Sequence, residues 1–269
     1  MRSALSLFAI LAACASRPAE SPEAGPLRPL GKNAQGAQEF LRTIDGMVVV
    51  LVPAGTYTVG DDRGDPGERP ARKKNLDHDV LIDKFEVANE QFARFLNAAG
   101  STKDGQGRPM IDPQIGGLEK VDGSWRASPG REKHPVVAAT YWGAEGYARW
   151  VGGHIPTSLE WEAAARGPDG RTYPWGEEPP DSLHCNFEPT GLRDTAPVGS
   201  FPRGASYFGC MDMAGNVYER VDSGRPGLIK SGCYISSTAF QMRPADQCGY
   251  NAESSGSWIG FRTAMLPPR

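Results

Sequence analysis

Histidine, cysteine, basic clusters and long apolar runs are all scarce in this 269-residue chain. The four histidines, His78, His134, His154 and His184, show neither i,i+4 pairing nor Cys-x-x-Cys partners, so zinc is not expected. His184 and Cys185 are adjacent, and neighbours in extended chain point to opposite faces, which argues against a thiolate–imidazole pair. There is no Gly-x-Ser-x-Gly elbow, phosphate-binding loop or dinucleotide fingerprint, and hydrolase, kinase and Rossmann oxidoreductase readings lose their support. Lys and Arg total 29 against 32 Asp and Glu, a net charge of −3 without a basic patch, so nucleic acid is not an expected partner. The apolar stretch within Met1–Cys14 (MRSALSLFAILAAC) is too short to span a bilayer.

That stretch has the form of a signal h-region, and Leu11-Ala12-Ala13-Cys14 matches a bacterial lipobox, with Cys14 as the residue to be lipidated. The alternative is a chance cysteine in an uncleaved leader. Lipidation would make the protein exported and held to the membrane only by its lipid anchor. Ala15 after the cysteine resembles outer-membrane sorting, should the host be Gram-negative. Residues 15–43 read as a flexible tether, rich at first in Ala, Pro, Gly and Ser, and 44–269 as one domain. Export leaves Cys185, Cys210, Cys233 and Cys248, enough for up to two disulfides, with three pairings open.

With 33 glycines and 23 prolines, the domain should be rich in turns and poor in long elements. Met47–Gly60 suggests two short strands about Pro53-Ala54-Gly55. Phe92, Phe95 and Leu96 fall at helical spacing in Asn89–Ala99, before a terminating Gly100. Ala144–Val151 repeats the pattern, and Thr157 with Glu160 forms a capping box opening a third helix. Residues 61–74 and 101–133 read as loops, and no strong helix follows Gly167.

Six blocks follow in order: HPVV (134–137), IPTSLEWEAAARG (155–167), YPWG (173–176), APVGSFP (196–202), DMAGNVYE (212–219) and GFR (260–262). With MVVVLVPAGTYTVG (47–60) and IDKFEVANEQFARFLNAAG (82–100), they resemble the formylglycine-generating enzyme, or sulfatase-modifying factor, family. The resemblance covers roughly residues 44–267 and implies a C-type-lectin-like α+β fold, loop-rich, with two or three short helices and little regular strand. It also implies oxidation of a substrate cysteine to formylglycine by oxygen, using copper(I) on two thiolates after a Gly-Gly-Ser-Tyr-like stretch.

Here that stretch is Ser231-Gly232-Cys233-Tyr234, and the two ligand positions fall on Ser236 and Gln241. A hydroxyl and an amide oxygen are poor ligands for soft Cu(I), so the usual copper site is expected to be absent. Cys233 and Cys248 are candidate substitute thiolates; the alternative is that both are structural. The family pattern also implies calcium between the side chains of Asp212 and Glu219 and the carbonyls of Gly215 and Val217, hard donors suited to that ion. The alternative there is a plain turn flanked by solvated acids. A second calcium site would draw on Asn186, the Phe187 carbonyl and Asp194. The favoured function is an envelope lipoprotein that binds or assembles with a protein or glycan; the competing one is an oxidoreductase with a rearranged thiolate site.

Overall fold

The computed structural model describes residues 27–224, 226–253 and 255–268. The expected signal segment, Cys14 and the tether's first residues lie outside these.

Antiparallel pairing starts earlier than expected. β1 (Leu27–Lys32) pairs with β2 (Gln38–Arg42), and β2 with β3 (Met47–Val52), so the expected tether over 15–43 is a sheet edge from Leu27 onward. The physical reason is charge burial. In β2 the two buried residues are Glu39 and Arg42, on opposite faces of the strand, and their charges are matched by Lys84 and by Asp45 and Asp83. β4 (Gly55–Val59) forms a separate hairpin with β5 (Arg72–Leu76), which occupies the end of the expected 61–74 loop. β6 (Val80–Asp83) returns alongside β3.

α1 spans Asn89–Ala99 and stops at left-handed Gly100, as the spacing predicts. The polar stretch that follows carries a second hairpin, β7 (Leu118–Val121) with β8 (Ser124–Ala127), inside what reads as loop. α2 (Tyr141–Trp150) begins three residues before Ala144 because the Thr140 hydroxyl caps the Gly143 amide. α3 (Ser158–Arg166) has the expected reciprocal cap: the Thr157 hydroxyl accepts from the Glu160 amide and the Glu160 carboxylate from the Thr157 amide.

Beyond α3 come β9 (Tyr218–Val221), β10 (Leu228–Lys230), β11 (Gln247–Gly249), β12 (Ile259–Gly260) and β13 (Ala264–Met265), with only short 3₁₀ turns between. One sheet runs β1-β2-β3-β6-β13 and a second β11-β10-β9-β12. Side chains alternate across β3, Val49 packing with α1 and α2 and Val50 with α3, so helices cover both faces of the first sheet. That explains why MVVVLV is apolar without interruption. Phe92, Phe95, Tyr147 and Phe261 form an aromatic cluster on the first face, each ring contributing about 2–3 kcal/mol by burial. No helix among the described residues is long and apolar enough to cross a membrane.

Candidate functional site

Two loops singled out in the sequence meet at one place. The chain leaves β10 at Ser231, whose amide donates to the Asp246 carbonyl and whose hydroxyl donates to the Met213 carbonyl (2.8 Å). The Ser231 carbonyl in turn accepts from the Gly215 amide, and the Asn216 carbonyl accepts from the Tyr234 amide. Segments 212–219 and 231–243 are thereby fixed against each other. At Gly232 (φ +65°) a Cβ would overlap the Met242 methyl and stand 2.7 Å from the Gln241 carbonyl oxygen. Only glycine lets the 239–242 turn close onto Cys233.

The two expected ligand positions both hydrogen-bond to the Tyr218 phenol, and each is already occupied by further hydrogen bonds. Ser236 is buried; its hydroxyl accepts from the Cys233 amide at 3.0 Å and lies 3.7 Å from the Cys233 sulfur. The Gln241 carbonyl oxygen accepts from the Ser237 amide and the Thr238 hydroxyl (both 3.2 Å), and its Nε2 donates to the Tyr218 phenol (3.4 Å). Burial pushes that phenol up, with a hydrogen bond from Ser236 partly offsetting it. Burial likewise pushes the Cys233 thiol up, so it stands protonated at neutral pH. On β11, partial burial first, and the neighbouring Asp246 second, push the Cys248 thiol up to about 11.

The expected disulfides do not appear. The four cysteines among the described residues are free, and Cys185, Cys210 and Cys233 sit in three different apolar clusters, too dispersed for mutual pairing. Ile235 and Phe240, 52% and 39% exposed, flank the Ser236–Gln241 turn with apolar surface. Arg243 anchors the turn from behind, its guanidinium over the Phe240 ring and paired with Asp61 (2.8 Å) and Glu68 (2.9 Å).

The acidic loop is buried, not solvated. Asp212 has left-handed backbone (φ +57°) and accepts from the Gly199 amide at 2.6 Å. Glu219, on β9, is held bidentately by Arg262 (2.6 and 2.7 Å) and accepts from the Trp161 indole at 2.9 Å. A third carboxylate, Glu86, lies in the same electrostatic neighbourhood; Asn216 donates to one oxygen (2.7 Å) and the other, Oε1, has no partner. Burial first, and the neighbouring acids second, push Glu86 well above its usual range; burial takes Asp212 to about 6, with Glu219 adding to the rise. Among the described residues no three acidic, imidazole or thiol side chains converge closely enough to hold a metal alone. A cation here would therefore rely on backbone carbonyls, and those of Gly215 and Val217 belong to this loop. Asp194 is drawn to Arg131 (2.6 Å), while Asn186 donates to the Asp194 carbonyl and to Asn216.

Sequence reading missed Glu86, Tyr218 and Arg262 as partners of this site. Each was inside a quoted block; an acid and a guanidinium among apolar neighbours, in FEVAN and GFR, were the available signals.

The pattern of the sulfatase-modifying factor enzyme 1-like domain matches residues 34–266. The chain belongs to that family. The formylglycine-generating enzyme of Thermomonospora curvata is 31% identical to it over 287 residues, covering 81% of this chain and 93% of that enzyme. The serine/threonine-protein kinase pkn1 of Chlamydia caviae is 40% identical over 174 residues, which are 64% of this chain but only 27% of the kinase. This chain thus spans about a quarter of the pkn1 relatives it matches. Among solved structures, PvdO from Pseudomonas aeruginosa superposes with a TM-score of 0.65 at 26% identity, over 83% of this chain and 95% of that one. The loop-rich α+β architecture is accordingly that of the sulfatase-modifying factor family.

Proposed function

We propose that this sulfatase-modifying factor homologue is an envelope-anchored lipoprotein without copper oxidase chemistry, acting as a binding or assembly module for an envelope protein or glycan. One observation carries the reading: the two ligand positions hold the Ser236 hydroxyl and the Gln241 amide, both engaged in local hydrogen bonds. Neutral oxygen donors do not compete for Cu(I). The oxidoreductase reading draws support from the Cys233 sulfur beside Ser236, but burial keeps that thiol protonated and the Cys248 thiol titrates at about 11. The exposed Ile235 and Phe240 give the site an apolar rim on which a partner can rest.

Calcium fits the acidic loop as a structural ion. Asp212 and Glu219, with the Gly215 and Val217 carbonyls, would hold it, Glu219 sharing its carboxylate with Arg262. The unpartnered Glu86 oxygen and the excess of buried acids over one guanidinium support a cation at this place.

The test is a metal and thiol inventory of the purified full-length protein, combined with oxygen consumption in the presence of a thiol peptide. The proposal expects calcium, no stoichiometric copper and no oxygen uptake. Tight copper with turnover of the peptide would refute it. The anchor is tested separately: Cys14→Ala should release the protein from the membrane fraction, and an unchanged distribution would remove lipidation from the reading.

A further inference from the structure

His78 and His154 are distant in the sequence, yet the fold sets both against one carboxylate away from the site described above. Glu160, the third residue of α3, turns back toward the helix start, where its Oε2 accepts from the Thr157 amide (2.7 Å). The Nε2 of His154 lies 3.0 and 3.1 Å from the two oxygens. The Nε2 of His78 lies 3.3 Å from Oε1, and the Nδ1 of the same ring lies 2.6 Å from Asp77 Oδ1. These side chains do not close up enough to ligate a metal, so the cluster is suited to protons.

Both ring nitrogens of His78 thus face a carboxylate. A neutral imidazole carries one N–H, and its other nitrogen would turn a lone pair toward a negatively charged oxygen. Imidazolium donates from both nitrogens and satisfies both acids at once. Asp77 and Glu160 are the charged groups that face the ring. His154 meets the same Glu160, and Asp79, next along the turn, is drawn to the Ala54 amide (2.7 Å). The Asp77 hydrogen bond, outweighing slight burial and assisted by Glu160, raises His78 above the ordinary imidazole value. The His78 side chain is 43% exposed and exchanges its proton directly with solvent.

Its position gives that proton something to hold. His78 sits in the 77–79 turn between β5 and β6, and β5 pairs with β4 alone. The far end of this hairpin is tied to α3 at Gly60, whose amide donates to Glu162 (2.8 Å) and whose carbonyl accepts from Arg166 (2.7 Å). The near end is tied to α3 through imidazole, the side chain whose charge changes near neutrality. The connection between the two strands carries Asp61 and Glu68, which hold Arg243 behind the Ser236–Gln241 turn, so a freed hairpin bears on the candidate site. We infer that His78 is a proton-operated clasp: as imidazolium it binds the β5–β6 turn to the head of α3, and on losing one proton it keeps Asp77 and lets Glu160 go. Asp77 is kept because its hydrogen bond is much the shorter. The stabilisation is present in full below the unfolded value near 6.5 and fades as pH rises through the higher folded value. The clasp operates whichever activity the Ser236–Gln241 turn supports.

The experiment is an NMR titration of the histidine rings in the full-length protein, with His78→Gln assigning the resonance. Hydrogen exchange of the β5 amides at pH 5.5 and 8.0, corrected for intrinsic exchange, follows. His78 should titrate above 6.5, and both Asp77→Asn and Glu160→Gln should lower its midpoint. Asp77 is 83% exposed, so its variant keeps the fold even where loss of the Glu160 charge proves too costly. Protection of β5 should fall about threefold or more from pH 5.5 to 8.0 in the unaltered protein and stay level in His78→Gln, whose side chain does not titrate. A midpoint at or below 6.5, a midpoint that either folded variant leaves unmoved, or the same pH dependence in His78→Gln would overturn the inference. So would loss of β5 protection on adding EDTA at pH 5.5, which would assign the clasp to a metal ion.

Discussion

Replacing Arg262 by methionine tests how the two sheets and the acidic loop are held together. The guanidinium is fully buried and makes five hydrogen bonds: two to Glu219 and one each to the carbonyls of Asp83, Lys84 and Met211. Methionine matches much of its volume but leaves Glu219 charged and buried near Asp212 and Glu86. Breaking a buried pair from one side costs about 3–5 kcal/mol, a large part of the ~5–15 kcal/mol that usually stabilises a domain. The corresponding fall in melting temperature is roughly 6–20 °C for a domain of this size. Glu219→Gln should be similarly costly, and the double variant should recover about 1–3 kcal/mol relative to the sum. Urea denaturation of the four proteins at constant calcium measures each term. Additive single effects, or a loss below about 1 kcal/mol for Arg262→Met, would refute the placement of this pair at the centre of the fold.

Ser236→Cys with Gln241→Cys should create stoichiometric Cu(I) binding that the unaltered protein lacks, measured against a competing chelator; its absence would show that these positions do not converge as described. For Glu160, burial acts to raise the pKa, but His154 and the Thr157 amide outweigh it and hold the carboxylate at about 2. Its stabilisation is therefore complete above the unfolded value near 4.5 and fades as pH falls toward 2, a loss of about 3 kcal/mol that Glu160→Gln should not show. A constant stability difference between the two proteins across that window would contradict this. Gly143→Ala should destabilise by about 1–3 kcal/mol despite alanine's higher helix propensity, because the added Cβ overlaps the Met110 carbonyl oxygen; thermal unfolding decides the sign.

Local signals were legible wherever one face of an element was apolar. Phe92, Phe95 and Leu96 gave α1 to the residue, and Thr157 with Glu160 gave the start of α3. They failed where charge replaced hydrophobicity in the interior. Glu39 and Arg42 read as tether residues because an inward-facing arginine, satisfied by Asp45 and Asp83, leaves no alternation to detect. The candidate site shows the same division. Ser236 and Gln241 were placed by counting along one segment, and in the fold both hydrogen-bond to the Tyr218 phenol. Glu86 lies far before Asp212 in the chain and Arg262 well after it; an acid in FEVAN and a guanidinium in GFR mark them as unusual, but neither says that the folded core brings them to Glu219. The cysteines misled for a related reason: an even count invites pairing, but three of them were buried apart from one another.

The last two strands sit at opposite destinations. β12 pairs in parallel with β9 at the border of the second sheet, and four residues later β13 pairs with β6 at the border of the first. A ribosome threading this chain outward must therefore deliver residue 260 before the second sheet is complete and residue 265 before the first. Until then the nascent polypeptide exposes the flanks of β6 and β9 together, a window in which chaperones have a recognisable target and misregistered strands can add.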